Sequence, residues 1–106
     1  MNPRPGEVWL ADLGMAAKTR PVVVVSRYDE NPPRVLVLYV PLTTANRGSA
    51  YEIGMPELPF LHADGVANVQ GLGSLPVKRL ERRLGILPKE VMDQIKKALR
   101  FALDLD

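Results

Sequence analysis

The segment RPVVVVSR at residues 20–27 restricts the fold of this chain more than any other stretch. Its four consecutive valines favour a buried strand, because β-branched side chains pack well on a pleated surface. The segment RVLVLYVPLT at residues 34–43 has the composition of a second strand, and the turn-forming YDENPP at residues 28–33 lies between the two. The two prolines in that connection cannot continue a ladder, so the pattern predicts an antiparallel hairpin.

The remaining segments are rich in strands and end in one helix. The segment PKEVMDQIKKALRFALDL at residues 88–105 places its apolar residues on one stripe, which is typical of an amphipathic helix packed on a sheet. VKRLERRLGIL at residues 77–87 is interpreted as a short helical turn followed by a strand, and GLGSLP at residues 71–76 as a glycine-punctuated link. Further strands are predicted in three short segments: GEVWLADL (6–13), AYEIGM (50–55) and VANVQ (66–70). The set predicts a mainly β or α+β fold, a small barrel with a C-terminal helix.

The composition is that of one ordinary globular domain spanning residues 1–106, with 46% hydrophobic and 25% charged residues. No apolar run approaches the roughly 20 residues that span a bilayer. The N-terminal MNPRPGEVW also lacks the apolar centre of a signal peptide, so a cytoplasmic location without membrane contact is expected. The sequence contains no cysteine, which excludes disulfides, thiolate zinc sites and a cysteine nucleophile.

Hairpin geometry predicts that two polar side chains meet at one end of the sheet. Counting outward from Asn31, near the middle of the connection, Arg20 and Thr43 lie almost equally far along the two strands. Such positions are neighbours in an antiparallel ladder. Pro21 confines Arg20 to an extended backbone, which restricts the direction in which its side chain leaves the strand. We therefore expect the guanidinium of Arg20 beside the hydroxyl of Thr43.

The adjacent loops add further cations and a second hydroxyl to this end of the hairpin: Lys18, Thr44 and Arg47. Arginine presents planar donors that match phosphate oxygens, and threonine adds a hydroxyl donor. The group contains no carboxylate pair, and His62 with Asp64 does not define a metal cage. The residues therefore predict a phosphate-binding site without a metal or another cofactor. The alternative is that Arg20 makes a surface ion pair and Thr43 only fills a strand end.

The positive charge of the chain is concentrated near the C-terminus. More than half of its 14 Lys and Arg residues lie between residues 78 and 100, although the net charge is only +2. Such a segment suits a polyanionic partner, but charge by itself favours the simpler interpretation of a solvated helix face.

Five segments resemble, in order and spacing, the PemK/MazF toxins of bacterial toxin–antitoxin systems. They are PGEVWLADLG, RPVVVVSR, VLYVPLTTANRGS, DGVANVQGLGSLPVKRLERRLGIL and the closing helix, and together they cover nearly the whole chain. Two features depart from the family pattern. GMAAKT at residues 14–19 is shorter than the loop with a Gly-Ser-Glu element that many members have, and Gln70-Gly71 stands where many carry Asp-Gln.

The resemblance implies an SH3-like β-barrel of the MazF/CcdB kind. It implies a homodimer that acts as an mRNA interferase, cleaving single-stranded RNA at short sequence motifs without a metal. It also implies that the arginine of the Arg-Pro pair and the first threonine of the Thr-Thr pair, here Arg20 and Thr43, carry catalysis. A cognate antitoxin with an acidic tail that occupies the RNA groove is the implied protein partner. Hairpin geometry selects the same two residues on separate grounds.

Other residues are candidates for RNA contacts. Arg27 and Tyr28 follow the second strand: Tyr28 is placed to stack on an unpaired base, and Arg27 either contacts the RNA or is solvated. Gln70 is a further candidate, at the position where the family pattern is not fully kept. Without a metal, the ribose 2′-hydroxyl serves as the nucleophile, and the products are a 2′,3′-cyclic phosphate and a 5′-hydroxyl. DNA lacks this hydroxyl and is therefore not expected to be cleaved.

Two other functions remain open from the sequence. One is a non-catalytic nucleic-acid-binding barrel, because small barrels often bind without chemistry and fold alone does not decide function. The other is a CcdB-like toxin that acts on gyrase. The pairing of Arg20 with Thr43 favours the nuclease, because a toxin that binds a protein has no need of it.

Overall fold

The computed structural model describes residues 2–14, 19–61 and 65–106, which form an antiparallel sheet and one helix. The strands, in chain order, are β1 (Glu7–Ala11), β2 (Arg20–Val24), β3 (Leu36–Thr43), β4 (Glu52–Gly54), β5 (Val66–Asn68), β6 (Gly73–Pro76) and β7 (Leu80–Ile86), and the helix is α1 (Lys89–Ala102). The expected mainly β fold with a C-terminal helix is confirmed. No helix in these ranges is long and apolar enough to cross a membrane.

The predicted hairpin is the centre of the sheet. β2 pairs with β3 in antiparallel register, with Val22 opposite Pro41 and Val24 opposite Tyr39. The sheet order is β4-β5-β3-β2-β1-β7, and β6 pairs with β3 outside this path. Among the described residues no ladder joins β6 to β7, so the barrel is open there, and the 3₁₀ turn at Val77–Arg79 links the two strands.

Strand β3 pairs with two different strands along the same edge. Its first half, Leu36–Tyr39, pairs with β6, whereas Leu42 and Thr43 pair with β5. Pro41 lies between the two ladders and has no N–H to donate. The end of β3 that carries Thr43 therefore belongs to the smaller β3–β5–β4 ladder.

The prediction of a link at residues 71–76 is wrong, because Gly73–Pro76 forms β6. This strand has few strand-forming residues, and its conformation is set by the free edge of β3. A Cβ on Gly73 would lie 2.9 Å from the hydroxyl oxygen of Tyr39, so a larger residue at this position would require the Tyr39 side chain to shift. The predicted strands at residues 6–13, 50–55 and 66–70, and the helical turn followed by a strand at 77–87, are confirmed.

The core consists of two buried clusters on opposite faces of the central strands. Val23 of β2 belongs to the cluster covered by α1, whereas Val22 and Val24 belong to the cluster on the other face. This division follows from the alternation of side chains along a strand. The helix contributes its apolar stripe to the first cluster through Val91, Met92, Ile95 and Ala98, as its periodicity predicts.

A buried carboxylate joins the start of β1 to β7. Oε1 of Glu7 accepts hydrogen bonds from the indole N–H of Trp9 at 3.0 Å and the backbone N–H of Arg4 at 3.1 Å. Its Oε2 accepts from the guanidinium of Arg83 at 3.3 Å. A buried charge needs such partners, so this cation of the basic segment has a structural role. Trp9 itself is in the core.

Candidate active site

A cleft of about 530 Å³ lies at the end of the sheet where β2 begins and β3 ends. Arg20 is the one cation among the residues that line it, and no carboxylate is among them. The lining residues are Leu13, Arg20, Pro21, Pro41, Leu42, Thr43, Thr44, Met55, Leu61 and Gly65. The described surface of the cleft thus combines one guanidinium and two hydroxyls with apolar walls.

Arg20 and Thr43 both contribute to this cleft, as the hairpin geometry predicts. The β2–β3 ladder ends at Val22 opposite Pro41, and Arg20 and Thr43 each lie two residues beyond this pair on their own strands. Both positions share a face of the sheet with Val22, because side chains on a strand alternate. Arg20 is exposed, and no carboxylate oxygen among the described residues lies within 4.0 Å of its guanidinium. Its donors are therefore available to a ligand.

The hydroxyl of Thr43 is held by the chain that follows it. Its Oγ1 accepts a hydrogen bond from the backbone N–H of Ala45 at 3.2 Å. A hydroxyl that accepts in this way retains its own proton for donation. Thr43 is half-buried, whereas Thr44 is exposed at the rim of the same cleft. Thr43 can therefore donate to an anion in the cleft from a fixed position.

The loop after Thr44 is ordered by Glu52, a residue that the sequence analysis did not select. The carboxylate accepts from the backbone N–H of Arg47 at 3.0 Å, and from the N–H and the hydroxyl of Ser49 at 3.0 and 2.7 Å. The spacing Ser49-x-x-Glu52 matches the Ser-x-x-Glu pattern of reciprocal capping, and this signal could have identified it. Arg47 is exposed and belongs to this ordered loop, but does not line the cleft.

These hydrogen bonds predict an acid-sensitive loop. The Ser49 hydroxyl, followed by the N–H groups of Arg47 and Ser49, lowers the pKa of Glu52 below its ordinary value of 4.5. A lowered carboxyl pKa stabilises the folded loop above pH 4.5, and this contribution is lost as the pH falls through the lowered pKa. In an NMR titration we expect the Arg47 and Ser49 amide signals to move together, with a midpoint below 4.5.

The matched control for this titration is Glu52→Gln, which has no carboxylate to protonate. Its Arg47 and Ser49 amide signals should not titrate over the same range. A wild-type midpoint at or above 4.5 would show that the three hydrogen bonds do not favour the ionised carboxylate.

The structure does not bring Arg27 and Tyr28 to the cleft. They follow the C-terminal end of β2, whereas Arg20 begins it. At about 3.3 Å per residue, the seven residues from Arg20 to Arg27 span about 23 Å if extended. The ring of Tyr28 is half-buried beneath the guanidinium of Arg4, whose Cζ lies 3.9 Å from the ring centroid.

The remaining candidates have separate positions. Gln70 is exposed in the 3₁₀ turn Val69–Gly71, where its backbone N–H donates to Oδ1 of Asn68, and it does not line the cleft. Lys18 and His62 lie outside the described residues. Within the described ranges, no three His, Asp or Glu side chains are placed to hold a metal ion.

Sequence reasoning missed the apolar walls of the cleft. Leu13 comes from the turn after β1, Met55 from the segment after β4, and Leu61 from the segment before β5. No local pattern relates these three segments, because only the folded sheet brings them together. Apolar walls beside a phosphate-binding group suit a nucleotide, since a base has an apolar face.

Comparison with known proteins identifies relatives over nearly the whole chain. Residues 4–103 match the family described as the PemK-like, MazF-like toxin of type II toxin–antitoxin systems. Endoribonuclease MazF6 of Mycobacterium tuberculosis is 32% identical over 108 residues, which cover 93% of this chain and 95% of the relative. Probable endoribonuclease MazF5 of the same organism is 35% identical over 103 residues, which cover 96% and 94%.

A solved structure is also similar. It is an endoribonuclease from a mycobacterial species in complex with its cognate antitoxin, with a TM-score of 0.86 and 30% identity. The match covers 98% of this chain and 97% of that one. The fold, the family match and the identity to these relatives agree over the same residues. This chain therefore belongs to the PemK-like, MazF-like toxin family.

Proposed function

We propose that this protein is an endoribonuclease toxin of a type II toxin–antitoxin system that cleaves single-stranded messenger RNA at specific sequences. The observation that carries the proposal is a cleft that both Arg20 and Thr43 line, with no carboxylate among its lining residues. Such a site attracts a phosphodiester and has no negative side chain to repel it. The relatives named endoribonuclease support the same activity.

In the proposed reaction, the ribose 2′-oxygen attacks the adjacent phosphorus and the bond from phosphorus to the 5′-oxygen breaks. The products are a 2′,3′-cyclic phosphate and a 5′-hydroxyl. The 2′-hydroxyl gives its proton to solvent water as the leaving 5′-oxygen gains one. We assign stabilisation of the pentacoordinate phosphorane and donation of a proton to the leaving oxygen to Arg20. The Thr43 hydroxyl donates to a non-bridging oxygen, consistent with its fixed position.

Electrostatic stabilisation carries most of the rate in this proposal. Arginine remains protonated above pH about 12, so it is a poor general base. Donors that are already oriented before the reaction stabilise the developing charge without reorganisation. Arg20 is the first residue of β2 and Thr43 is the last residue of β3. Both proposed catalytic side chains therefore extend from residues whose backbone belongs to a strand.

We assign RNA binding around this pair to residues from the flanking segments. Thr44 lines the cleft, and the ordered loop carries Arg47 beside it. Lys18 precedes Arg20 in the sequence and is proposed to approach the same phosphate. Arg27 and Tyr28 follow the opposite end of β2, and Gln70 does not line the cleft, so their proposed contacts are with parts of the RNA outside the cleft.

The proposed assembly is a cytoplasmic homodimer regulated by an antitoxin, with residues 1–106 as a single domain. The solved mycobacterial relative is in complex with its cognate antitoxin. An antitoxin with an acidic tail fits a cleft whose lining includes a guanidinium and no carboxylate. Occupation of the cleft by such a tail would exclude RNA.

The test of the proposed function is cleavage of a long single-stranded RNA in excess EDTA, with a matched DNA as control. We expect discrete cuts with 5′-hydroxyl ends in the RNA and none in the DNA, because DNA lacks the 2′-hydroxyl. Mapping the ends reveals the recognised sequence. Cleavage that EDTA abolishes would contradict the metal-independent reaction.

The other outcomes separate the rival functions. RNA that is bound but remains intact across many sequences would overturn the nuclease and leave a nucleic-acid-binding barrel. Intact RNA with arrested DNA replication in expressing cells would indicate a toxin that acts on gyrase.

A further inference from the structure

A second guanidinium belongs to the same end of the sheet as the cleft. In the ladders, Ala11 of β1 lies between Arg20 of β2 and Leu80 of β7. One residue farther, the backbone N–H of Asp12 donates to the carbonyl of Arg79 at 3.0 Å. Neighbouring strands are about 4.8 Å apart, so the backbones of Arg20 and Arg79 are separated by about 10 Å across the sheet.

The turn after β1 holds the side chain of Arg79 close. Oδ1 of Asp12 accepts from the N–H of Gly14 at 2.8 Å, and Gly14 has a φ of +75°, which favours glycine. A Cβ on Gly14 would lie 2.9 Å from Nη1 of Arg79, so the guanidinium lies against this turn. The same turn contributes Leu13 to the cleft. The Arg79 guanidinium therefore lies against the turn that forms the Leu13 side of the cleft, outside the lining residues, and we call this side the rim.

This guanidinium has no carboxylate partner in the part of the chain that the structure describes. The ion pairs there are Arg83 with Glu7 and Lys89 with Asp93. Asp12 is in the adjacent turn, but one of its oxygens binds Gly14, and no oxygen of it lies within 4.0 Å of an Arg79 nitrogen. Arg79 is also exposed. Its planar donors are thus held beside the cleft and are available to an external anion.

We infer that Arg79 binds a phosphate of the RNA next to the one that is cleaved. The inference rests on the proposed endoribonuclease function and adds a substrate-binding residue from the 3₁₀ turn before β7 to the pair on β2 and β3. A polynucleotide carries a phosphate at every residue, so a strand whose cleaved phosphate lies at Arg20 continues past the rim of the cleft. Arg79 lies on that rim, on the side of β1 away from Arg20.

The test compares wild-type protein with Arg79→Ala and Arg79→Lys. The ligand is a fluorescent single-stranded RNA spanning a mapped cut, with hydrogen in place of the 2′-hydroxyl at the cut so that it binds without being cleaved. Dissociation constants are measured between 50 and 200 mM salt, where phosphate contacts give a linear dependence of log K on log salt. We expect the slope to fall by about 0.7 in Arg79→Ala, the contribution of one contact to a single strand.

Arg79→Lys should restore most of the salt slope, because lysine binds phosphate as a point charge. In cleavage assays Arg79→Ala should raise KM about tenfold and leave kcat nearly unchanged, since a charged hydrogen bond is lost equally from ground and transition states. Arg100→Ala is the matched control. It removes an exposed guanidinium from α1, outside the residues that line the cleft, and should keep the wild-type slope.

An unchanged slope in Arg79→Ala, or equal losses in Arg79→Ala and Arg100→Ala, would overturn the assignment to Arg79. Either result is compatible with the proposed function if wild-type protein cuts RNA and Arg20→Ala does not. Wild-type protein that neither cuts nor binds RNA would overturn both the assignment and the function.

Discussion

Replacement of Arg20 by alanine is expected to lower the cleavage rate constant by about 10²–10³-fold, the cost of removing one oriented donor in other enzymes. Arg20 is the one charged residue among those that line the cleft, so no lining residue can take over its role. Because it is exposed, its removal leaves no cavity in the core. The measurement is single-turnover cleavage of an RNA that contains a mapped cut.

Two variants make the Arg20 result specific. Arg100→Ala removes the same charge from α1 and should cleave at nearly the wild-type rate. Arg20→Lys keeps the charge without the planar donors, so it should recover only part of the rate. If Arg20→Ala cleaves at the wild-type rate, residues other than Arg20 stabilise the phosphorane. Equal losses in Arg20→Ala and Arg100→Ala would indicate a general effect of net charge.

Replacement of Ile95 by alanine is expected to lower the free energy of unfolding by about 2–5 kcal/mol, the usual range for a large-to-small change in a core. Ile95 is 0% exposed and lies on the face of α1 that covers the first core cluster. Small domains are stable by only about 5–15 kcal/mol, so this change removes much of the total. Urea unfolding, followed by circular dichroism at one protein concentration, measures it.

Lys96→Ala is the control for Ile95→Ala. Lys96 is the next residue on the same helix and is exposed, so its replacement should change the free energy of unfolding by less than about 0.5 kcal/mol. If Ile95→Ala lowers the free energy of unfolding by less than about 0.5 kcal/mol, the packing of α1 on the core contributes little to stability. Equal losses in both variants would point to an effect on the helix itself.

The central hairpin could be predicted from the sequence together with its register. The valines of β2 and the apolar run of β3 favour two extended strands, and the prolines of the connection favour a turn between them. All three local signals therefore predict the same hairpin. The helix was predictable for a similar reason, because its period of apolar residues is long enough to be unambiguous. Strand β6 was not, since its conformation depends on the edge of β3 rather than on its own residues.

The site was predictable only where strand geometry determined it. Arg20 and Thr43 come together because they end paired strands on the same side. Arg27 lies at the opposite end of the strand that Arg20 begins, and simple counting along that strand separates them. Leu61 depends on how a distant segment returns to the sheet, and single-sequence reasoning has little access to such contacts. Glu52 differs, because its spacing from Ser49 is a local signal that the sequence does contain.

The change of partner along β3 has a consequence for how the protein can vary. The half that pairs with β6 belongs to the barrel, whereas the half that ends at Thr43 is held by β5, and β4 pairs with β5 in turn. Pro41 interrupts the hydrogen bonding between the two halves. Substitutions or altered loop lengths around β4 and β5 can therefore reshape the cleft while the barrel ladder stays intact. The loops that flank β4 and β5 can vary with less cost to folding than the strands themselves, because Ile53 of β4 and Ala67 of β5 are buried in the core cluster covered by α1.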